Sequence, residues 1–395
     1  MKRPKFMFVA GETSGDHHAA AVIQALGKRA DCFGLGGPAM AAAGLRLDLD
    51  LASRGVIGFV EVLKHAAYFR RAFHLAEGLL AKERPDLLVL VDYPGFNLRL
   101  AKKAKALGIP IAYYISPQVW AWKRGRVKVM ARLLDRMLVT FPFEKPIYDR
   151  AGLDCRLVGN PLVDAIPAGL RWQGPGDPPA ARQGRLRAGL GWPRAGQVLG
   201  LLPGSREQEV RWLLPVMLQT ARRLQSSGRR FVVVKPVAAP RAWYAPVEVA
   251  AAQGLRVTLF EGADQGQAYR ARAACDAALV ASGTATLETA LLGTPFLILY
   301  RVHPLTYAIG RRLVRIHSIG LANVVAGRRV VPEFLQEGLD PVAIADSLEQ
   351  LLGSPARRAG QRRDLAPGLR SLGRPGVAGR AARALLELAK ARRAA

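Results

Sequence analysis

Two segments of this 395-residue sequence place phosphate-compatible residues directly after apolar runs. In LGLLPGSREQEV, Gly204, Ser205 and Arg206 follow such a run and open a helical pattern, so backbone N–H groups and the helix dipole meet a fixed guanidinium charge. The same residues also suit an ordinary turn with a solvated arginine. VASGTATLETALLGTP repeats the arrangement: Ser282 ends a run, Gly283 permits close approach, Thr284 starts a helix, and Glu288 lies one turn inside it on the same face. Two anion sites of this kind suit a diphosphate, and a carboxylate one turn further suits ribose hydroxyls, although Glu288 can equally be surface charge. Together they make a nucleoside diphosphate the expected ligand.

The other chemistry lies nearer the N-terminus. VDYPGFNLRLAKKAK puts Asp92 at the carboxyl end of a strand and just before a helix, where a carboxylate is either a general base or a helix cap. AGETSGDHHAA gathers Glu12, Ser14, Gly15 and Asp16 at another helix start, as caps or as ligand contacts. YYISPQVWAWKRGRV carries Ser116, Gln118, Trp120 and Trp122 beyond a strand end. There the two tryptophans are expected to shape a ligand site at the cleft edge by packing, with a purely structural pair as the rival and insertion into lipid last. Asp48 and Asp50 spell a DxD in LRLDLDLAS, read as a solvated segment because the nucleotide elements lie in the opposite half. His17 and His18 lack a third ligand at readable spacing, so neither a metal nor a cofactor is expected.

These residues need strands and helices to hold them. KFMFVAG, CFGLGG, DLLVLVD, IPIAYYIS, RMLVTF and CRLVGNP read as buried strands, separated by amphipathic segments at 15–29, 59–83, 95–107 and 124–134. Strands alternating with helices make βαβ units and a parallel sheet. Residues 167–195, rich in Pro, Gly and charge, read as a linker between a first α/β domain at 1–166 and a second, carrying the phosphate-compatible turns, at 196–354. In the second domain QVLGLLPG, RFVVVKPV, RVTLFEG, DAALVAS and PFLILYR restart the alternation. Residues 355–395 read as terminal helices that pack back on the first domain or on a partner chain. The expectation is an α/β protein of the GT-B type, two doubly wound Rossmann-like domains facing across a cleft, with ligands beyond the carboxyl strand ends.

Composition narrows the class further. Half the residues are hydrophobic, enough for sizeable cores, and the three cysteines have no metal-binding or disulfide spacing. The N-terminal apolar run is too short for a signal peptide, and residues 277–300 are interrupted by SGTATLE and Pro295, so no membrane span is expected. The net charge of +28 admits nucleic acid, an anionic membrane or a compositional bias. Scattered basic residues and the lack of RNP-like or zinc-finger patterns argue against nucleic acid.

The ordered motifs AGETSGD, VDYPGFN, YISPQVWAWKRGRV, PFEKPIY, LLPGSREQEV, ASGTATLETALLGTP and LANVVAGRRVVPEFLQ run along nearly the whole chain. They resemble the lipid-A-disaccharide synthase family of inverting glycosyltransferases. The resemblance implies UDP-2,3-diacylglucosamine as donor, 2,3-diacylglucosamine 1-phosphate as acceptor, and UDP and the β-1,6 lipid A disaccharide as products. It implies Asp92 as base and Arg206 with the Gly283 turn as diphosphate binders. Glu288 and Asn323 would be nucleotide contacts, and Asn97 an acceptor contact beside Glu12, Ser14, Gly15, Asp16, Gln118 and Trp120. It also implies a cytoplasmic location on the inner face of the inner membrane, and it leaves a homodimer open.

Membrane attachment is expected at residues 58–80, where Phe59, Leu63, Phe69 and Phe73 accompany Lys64, Arg70 and Arg71. Exposed beside the acceptor site, that helix would dock on an anionic leaflet. An ordinary core-facing amphipathic helix is the competing reading.

Overall fold

Strands of five or six nearly all-apolar residues can be buried only where both sheet faces are covered, which is the condition of a parallel sheet. The computed structural model describes residues 3–53, 66–122, 124–174, 179–225, 228–303, 307 and 318–394. Contacts divide the chain into two units, residues 1–164 with 372–395, and residues 165–371.

In the first unit β1 (Lys5–Ala10), β2 (Asp31–Gly36), β3 (Arg46–Asp50), β4 (Leu87–Val91), β5 (Ile111–Tyr114), β6 (Arg136–Val139) and β7 (Cys155–Leu157) form a parallel sheet in the order β3-β2-β1-β4-β5-β6-β7. The order reverses between β1 and β4, so their carboxyl ends flank the crevice where ligands of such sheets bind. Register pairs Val9 with Leu90 and Ala10 with Val91, and brings Gly11 level with Asp92. Helices Ala66–Glu83, Pro94–Ala106 and Arg126–Leu133 contribute to one core, and helices Thr13–Leu26 and Val377–Ala394 to another.

In the second unit β8 (Gln197–Leu202), β9 (Arg229–Lys235), β10 (Val257–Glu261), β11 (Ala277–Ala281), β12 (Phe296–Tyr300) and β13 (Glu333–Leu335) form a second parallel sheet, ordered β10-β9-β8-β11-β12-β13. Its reversal lies between β8 and β11, whose ends carry Gly204 and Ser282.

Three expectations change. The segment read as a linker belongs to the second unit: helix Pro179–Gly189 sends Arg187 inward to the carbonyl of Ala274 at 3.0 Å, the carbonyl of Gly196 at 3.1 Å and Asp276 at 2.6 Å. The terminal helices separate, Pro355–Ser371 staying with the second unit and Val377–Ala394 with the first. Val377, Ala381, Ala382, Leu385, Leu388 and Ala389 are its buried stripe, and burying Leu385 alone contributes about 2 kcal/mol. Arg136 from β6 donates to the carbonyl of Ala384 at 2.6 Å. Finally, LRLDLD is the edge strand β3 rather than a solvated segment. Asp48 pairs with Arg46 at 3.3 Å, and Asp50 accepts from the N–H of Ser53 at 3.0 Å.

Candidate active site

The backbone turns abruptly where β4 ends. Asp92 and Tyr93 both have φ of 46°, a left-handed pair without glycine, and Ile115 after β5 has φ of 65°. Each such residue costs on the order of 1–3 kcal/mol and persists only where its surroundings enforce it. Here the enforcing groups are visible. The carbonyl of Asp92 accepts from Nδ2 of Asn97 at 2.7 Å and from the hydroxyl of Tyr113, and Nδ2 also reaches the carbonyl of Val91 at 3.2 Å. The ring of Tyr93 lies against Gly11 and extends toward Phe96 and Phe69, with centroids 6.0 and 6.4 Å away. Burial pushes the Asp92 carboxyl up to about 6, and the nearby charge of Glu12 adds to the effect while the N–H of Tyr93 opposes it. An acid so tuned is ionised at neutral pH and basic enough to take a proton from a hydroxyl as it attacks.

Around Asp92 the expected acceptor residues divide. Glu12 is half-buried just ahead of helix Thr13–Leu26, and Ser14 in its first turn is exposed; Gly15 is buried beneath them. Asp16 does not face a ligand. Its carboxylate accepts from the N–H groups of Gly37, Ala39 and Met40 at 2.9, 3.0 and 3.0 Å, capping helix Pro38–Ala42. Asn97 is likewise fully buried and holds backbone rather than sugar. His18 is half-buried, and its pKa falls to about 4 through burial and the charge of His17.

Gln118 is exposed at the tip of the loop after β5, and Trp120 is half-buried, packed edge-on against Phe143 at 5.4 Å. Phe143 stacks on Phe141 at 5.3 Å. Beneath them Glu144 accepts from the N–H groups of Phe141 and Thr140 at 3.1 and 3.3 Å, and burial pushes its pKa up to about 7. Trp120 is thus the anchor of the loop, whereas Trp122 is 39 % exposed with the Arg126 guanidinium 5.3 Å above its ring.

The expected membrane helix is corrected. Phe69 and Phe73 are half-buried against the core, Phe73 meeting Phe96 at 5.5 Å, so they are not free to insert. Phe59, Leu63 and Lys64 lie outside the described residues.

In the second unit the turn after β8 is closed by a capping box. Glu209 accepts from the N–H groups of Ser205 and Arg206 at 2.9 and 3.3 Å, so the amides expected to cradle phosphate are occupied. Gly204 has φ of 123°, and a β-carbon there would lie 2.3 Å from Oε2 of Glu209. Outside the box stands the Arg206 guanidinium, its side chain 57 % exposed and 3.3 Å from Glu209. The second turn differs. Gly283 has φ of 152° with open space where a side chain would go, Thr284 is exposed, and among the described residues no side chain caps helix Thr284–Leu292. Its first amides and dipole, unlike those of the capping box, are open to an anion. Ser282 donates to the carbonyl of Ile319 at 3.1 Å, drawing the turn onto its neighbour.

The two other expected nucleotide residues are engaged within the unit. Glu288 is not free surface charge: it forms a largely buried ion pair with Arg272 and accepts from the Tyr269 hydroxyl at 3.1 Å. Asn323 is buried and saturated. Its Nδ2 donates to the carbonyl of Val331 at 2.8 Å and to Glu333 at 2.9 Å, while Oδ1 accepts from the N–H groups of Val330 and Val331 at 2.9 and 2.8 Å. Glu333 in turn accepts from Ile319 and Gly320 N–H at 3.1 and 3.0 Å. Asn323 thus braces the segment beside Ser282. Among the described residues no group of three or more His, Cys, Asp or Glu is placed to hold a metal ion.

Sequence reasoning missed Tyr113, Arg272 and Glu333. Tyr113 reads as one more strand residue in IPIAYYIS, and nothing in the run sets it apart from its neighbour Tyr114. Arg272 and Glu333 lie far in sequence from the groups they bind.

Two doubly wound parallel-sheet units define a GT-B-type protein, and solved structures agree. The fold resembles a putative UDP-N-acetylglucosamine 2-epimerase from Listeria monocytogenes, with a TM-score of 0.64 and 14% identity over 99% of this chain and 97% of that one. It also resembles CalG4, the calicheamicin glycosyltransferase, with a TM-score of 0.59 and 16% identity over the full length of both. The family model for Lipid-A-disaccharide synthetase matches residues 6–386. A lipid-A-disaccharide synthase of Geobacter sulfurreducens is 40% identical over 97% of both chains, and one of Myxococcus xanthus is 42% identical over 98% of this chain and 97% of its own. The chain belongs to the lipid-A-disaccharide synthase family, glycosyltransferases of lipid A biosynthesis.

Proposed function

We propose that the chain joins UDP-2,3-diacylglucosamine to 2,3-diacylglucosamine 1-phosphate, releasing UDP and forming the β-1,6 lipid A disaccharide 1-phosphate. The observation that carries the mechanism is the Asp92 carboxyl, held at a strained strand end and tuned to about 6 by burial and Glu12. The acceptor 6-hydroxyl gives its proton to this carboxylate as its oxygen bonds to the donor C1. The bond from C1 to the UDP oxygen breaks on the opposite face, so the configuration inverts. The leaving diphosphate gathers negative charge, which the Arg206 guanidinium and the open helix start at Gly283 and Thr284 stabilise. Glu12, Ser14, Gln118 and the loop anchored by Trp120 are assigned to the acceptor sugar.

Both substrates carry acyl chains, and no described helix is long and apolar enough to cross a membrane. Peripheral docking on the anionic inner leaflet is therefore part of the proposal, with its surface moved from Phe69 and Phe73 to the neighbouring helices. Pro94–Ala106 and Arg126–Leu133 contain no acidic residue, and Arg99, Lys102, Lys128 and Arg132 are exposed on them. Each basic residue near such a leaflet contributes about 1 kcal/mol.

The test is Asp92→Asn. UDP binding, measured by calorimetry, is retained while disaccharide formation collapses; a variant that turns over normally removes Asp92 as the base.

A further inference from the structure

Asn97 and Tyr113 approach Asp92 from different elements, helix Pro94–Ala106 and strand β5, and both donate to one backbone oxygen. Two donors on a single, partly buried carbonyl fix the direction of that peptide unit. Its direction matters because this peptide joins Asp92 to Tyr93, and both residues are left-handed and would relax to negative φ if released. Tyr113 is completely buried, its ring packed in the sheet core, so the hydroxyl is the only polar atom its side chain brings to this place. A phenylalanine would fill the same core, which leaves the hydrogen bond as what distinguishes tyrosine here.

We infer that Tyr113, with Asn97, is a positioning residue for glycosyl transfer, clamping the Asp92 carbonyl so that the carboxylate keeps the direction and seclusion a base requires. The inference rests on the reading of Asp92 as the base. Tyr113 touches no substrate and moves no proton: burial and the charges of Asp92 and Tyr148 hold its phenol well above the ordinary range, so it stays a donor throughout. The ionisable groups that face the site are Glu12 ahead of helix Thr13–Leu26, Tyr68 on helix Ala66–Glu83, Tyr93 at the turn, Tyr113 and Tyr148 beneath it with Glu144 behind them, and Arg126 toward Tyr113. Burial holds Asp92 up near 6 and Glu144, behind Tyr148, up near 7. Freed from the clamp, Asp92 regains water, and its pKa moves down toward that of an ordinary carboxylate.

The experiment is Tyr113→Phe in the full-length enzyme, assayed with both acylated sugars across pH 4.5 to 8 (on the order of the range in which carboxylates and histidine titrate). Expected are a kcat lowered about tenfold or more, a KM for the UDP-sugar within about twofold of the parent, and an acid limb of kcat/KM displaced below its parental position. A purely structural hydroxyl predicts a lower Tm, an active fraction that scales with folded protein, and an unmoved acid limb; that result overturns the inference. Should Tyr113→Phe not fold, Asn97→Ala removes the other donor and is read by the same three criteria. Asp92→Asn separates the two levels: if it is inactive while Tyr113→Phe is normal, the clamp fails and the base stands. If Asp92→Asn is fully active, the base reading fails and takes the clamp with it.

Discussion

The ring of Tyr93 occupies the space where a side chain on Gly11 would stand: a β-carbon at Gly11 would lie 2.2 Å from Cδ1 of Tyr93. The contact joins the ends of β1 and β4, and so the glycine of AGETSGD to the aspartate of VDYPGFN. Gly11→Ala must push Tyr93 off its seat. The expected cost is about 1–3 kcal/mol in stability, read by denaturant unfolding, together with a loss of turnover. A stable and fully active alanine variant would show that the turn does not depend on this packing.

Asp92 should govern activity and stability in opposite directions. As a base it must be ionised, so kcat/KM falls about tenfold per pH unit below a pKa near 6. For stability the sign reverses. The folded state binds the proton more tightly than the unfolded chain, so ionised Asp92 destabilises above pH 6, and that burden lifts as pH falls toward the ordinary carboxylate value. Asp92→Asn should therefore exceed the parent in stability near neutral pH, by up to about 3 kcal/mol, with the advantage shrinking toward pH 4. Parallel unfolding curves at several pH values check this; a constant difference would mean that Asp92 titrates normally.

Arg206 and Glu209 share the turn after β8 but should separate by phenotype. Arg206→Ala removes an exposed charge, leaving the Tm within a degree or so while turnover falls by about 2–4 kcal/mol of barrier. Glu209→Ala opens the capping box and costs about 1 kcal/mol of stability. Calorimetry with UDP and thermal unfolding of both variants distinguish them. Normal turnover in Arg206→Ala would leave the open turn at Gly283 as the diphosphate site by itself.

Asn323→Ala leaves buried partners without hydrogen bonds, among them the Val331 carbonyl and N–H. The expected loss is on the order of 2–4 kcal/mol, with UDP affinity falling as a consequence. Reduced UDP binding at unchanged Tm would instead make Asn323 a direct ligand.

Much of the fold was legible because buried parallel strands write themselves as short apolar runs, and KFMFVAG, DLLVLVD and DAALVAS all appear as strands within a residue or two. The edge strand β3 was not, since LRLDLD alternates charge with leucine, and an edge needs only one covered face. The site was half legible. Position marked Asp92 and Arg206 because strand ends and helix starts are set by local pattern. Direction was hidden: nothing local in AGETSGD shows that Asp16 turns inward to cap residues 38–42, nor in TLETALL that Glu288 meets Arg272. Those partners are brought together only by the packing of the whole sheet.

Everything proposed for Asp92 and Arg206 presupposes glycosyl transfer between two acylated sugars. Incubating the purified enzyme with UDP-2,3-diacylglucosamine and 2,3-diacylglucosamine 1-phosphate, and following both products by mass spectrometry and NMR, tests it most directly. The expected products are UDP and a β-1,6-linked disaccharide 1-phosphate in equal amounts, neither formed when the acceptor is left out. UDP released without disaccharide, an α linkage, or epimerised donor as the main product would contradict it.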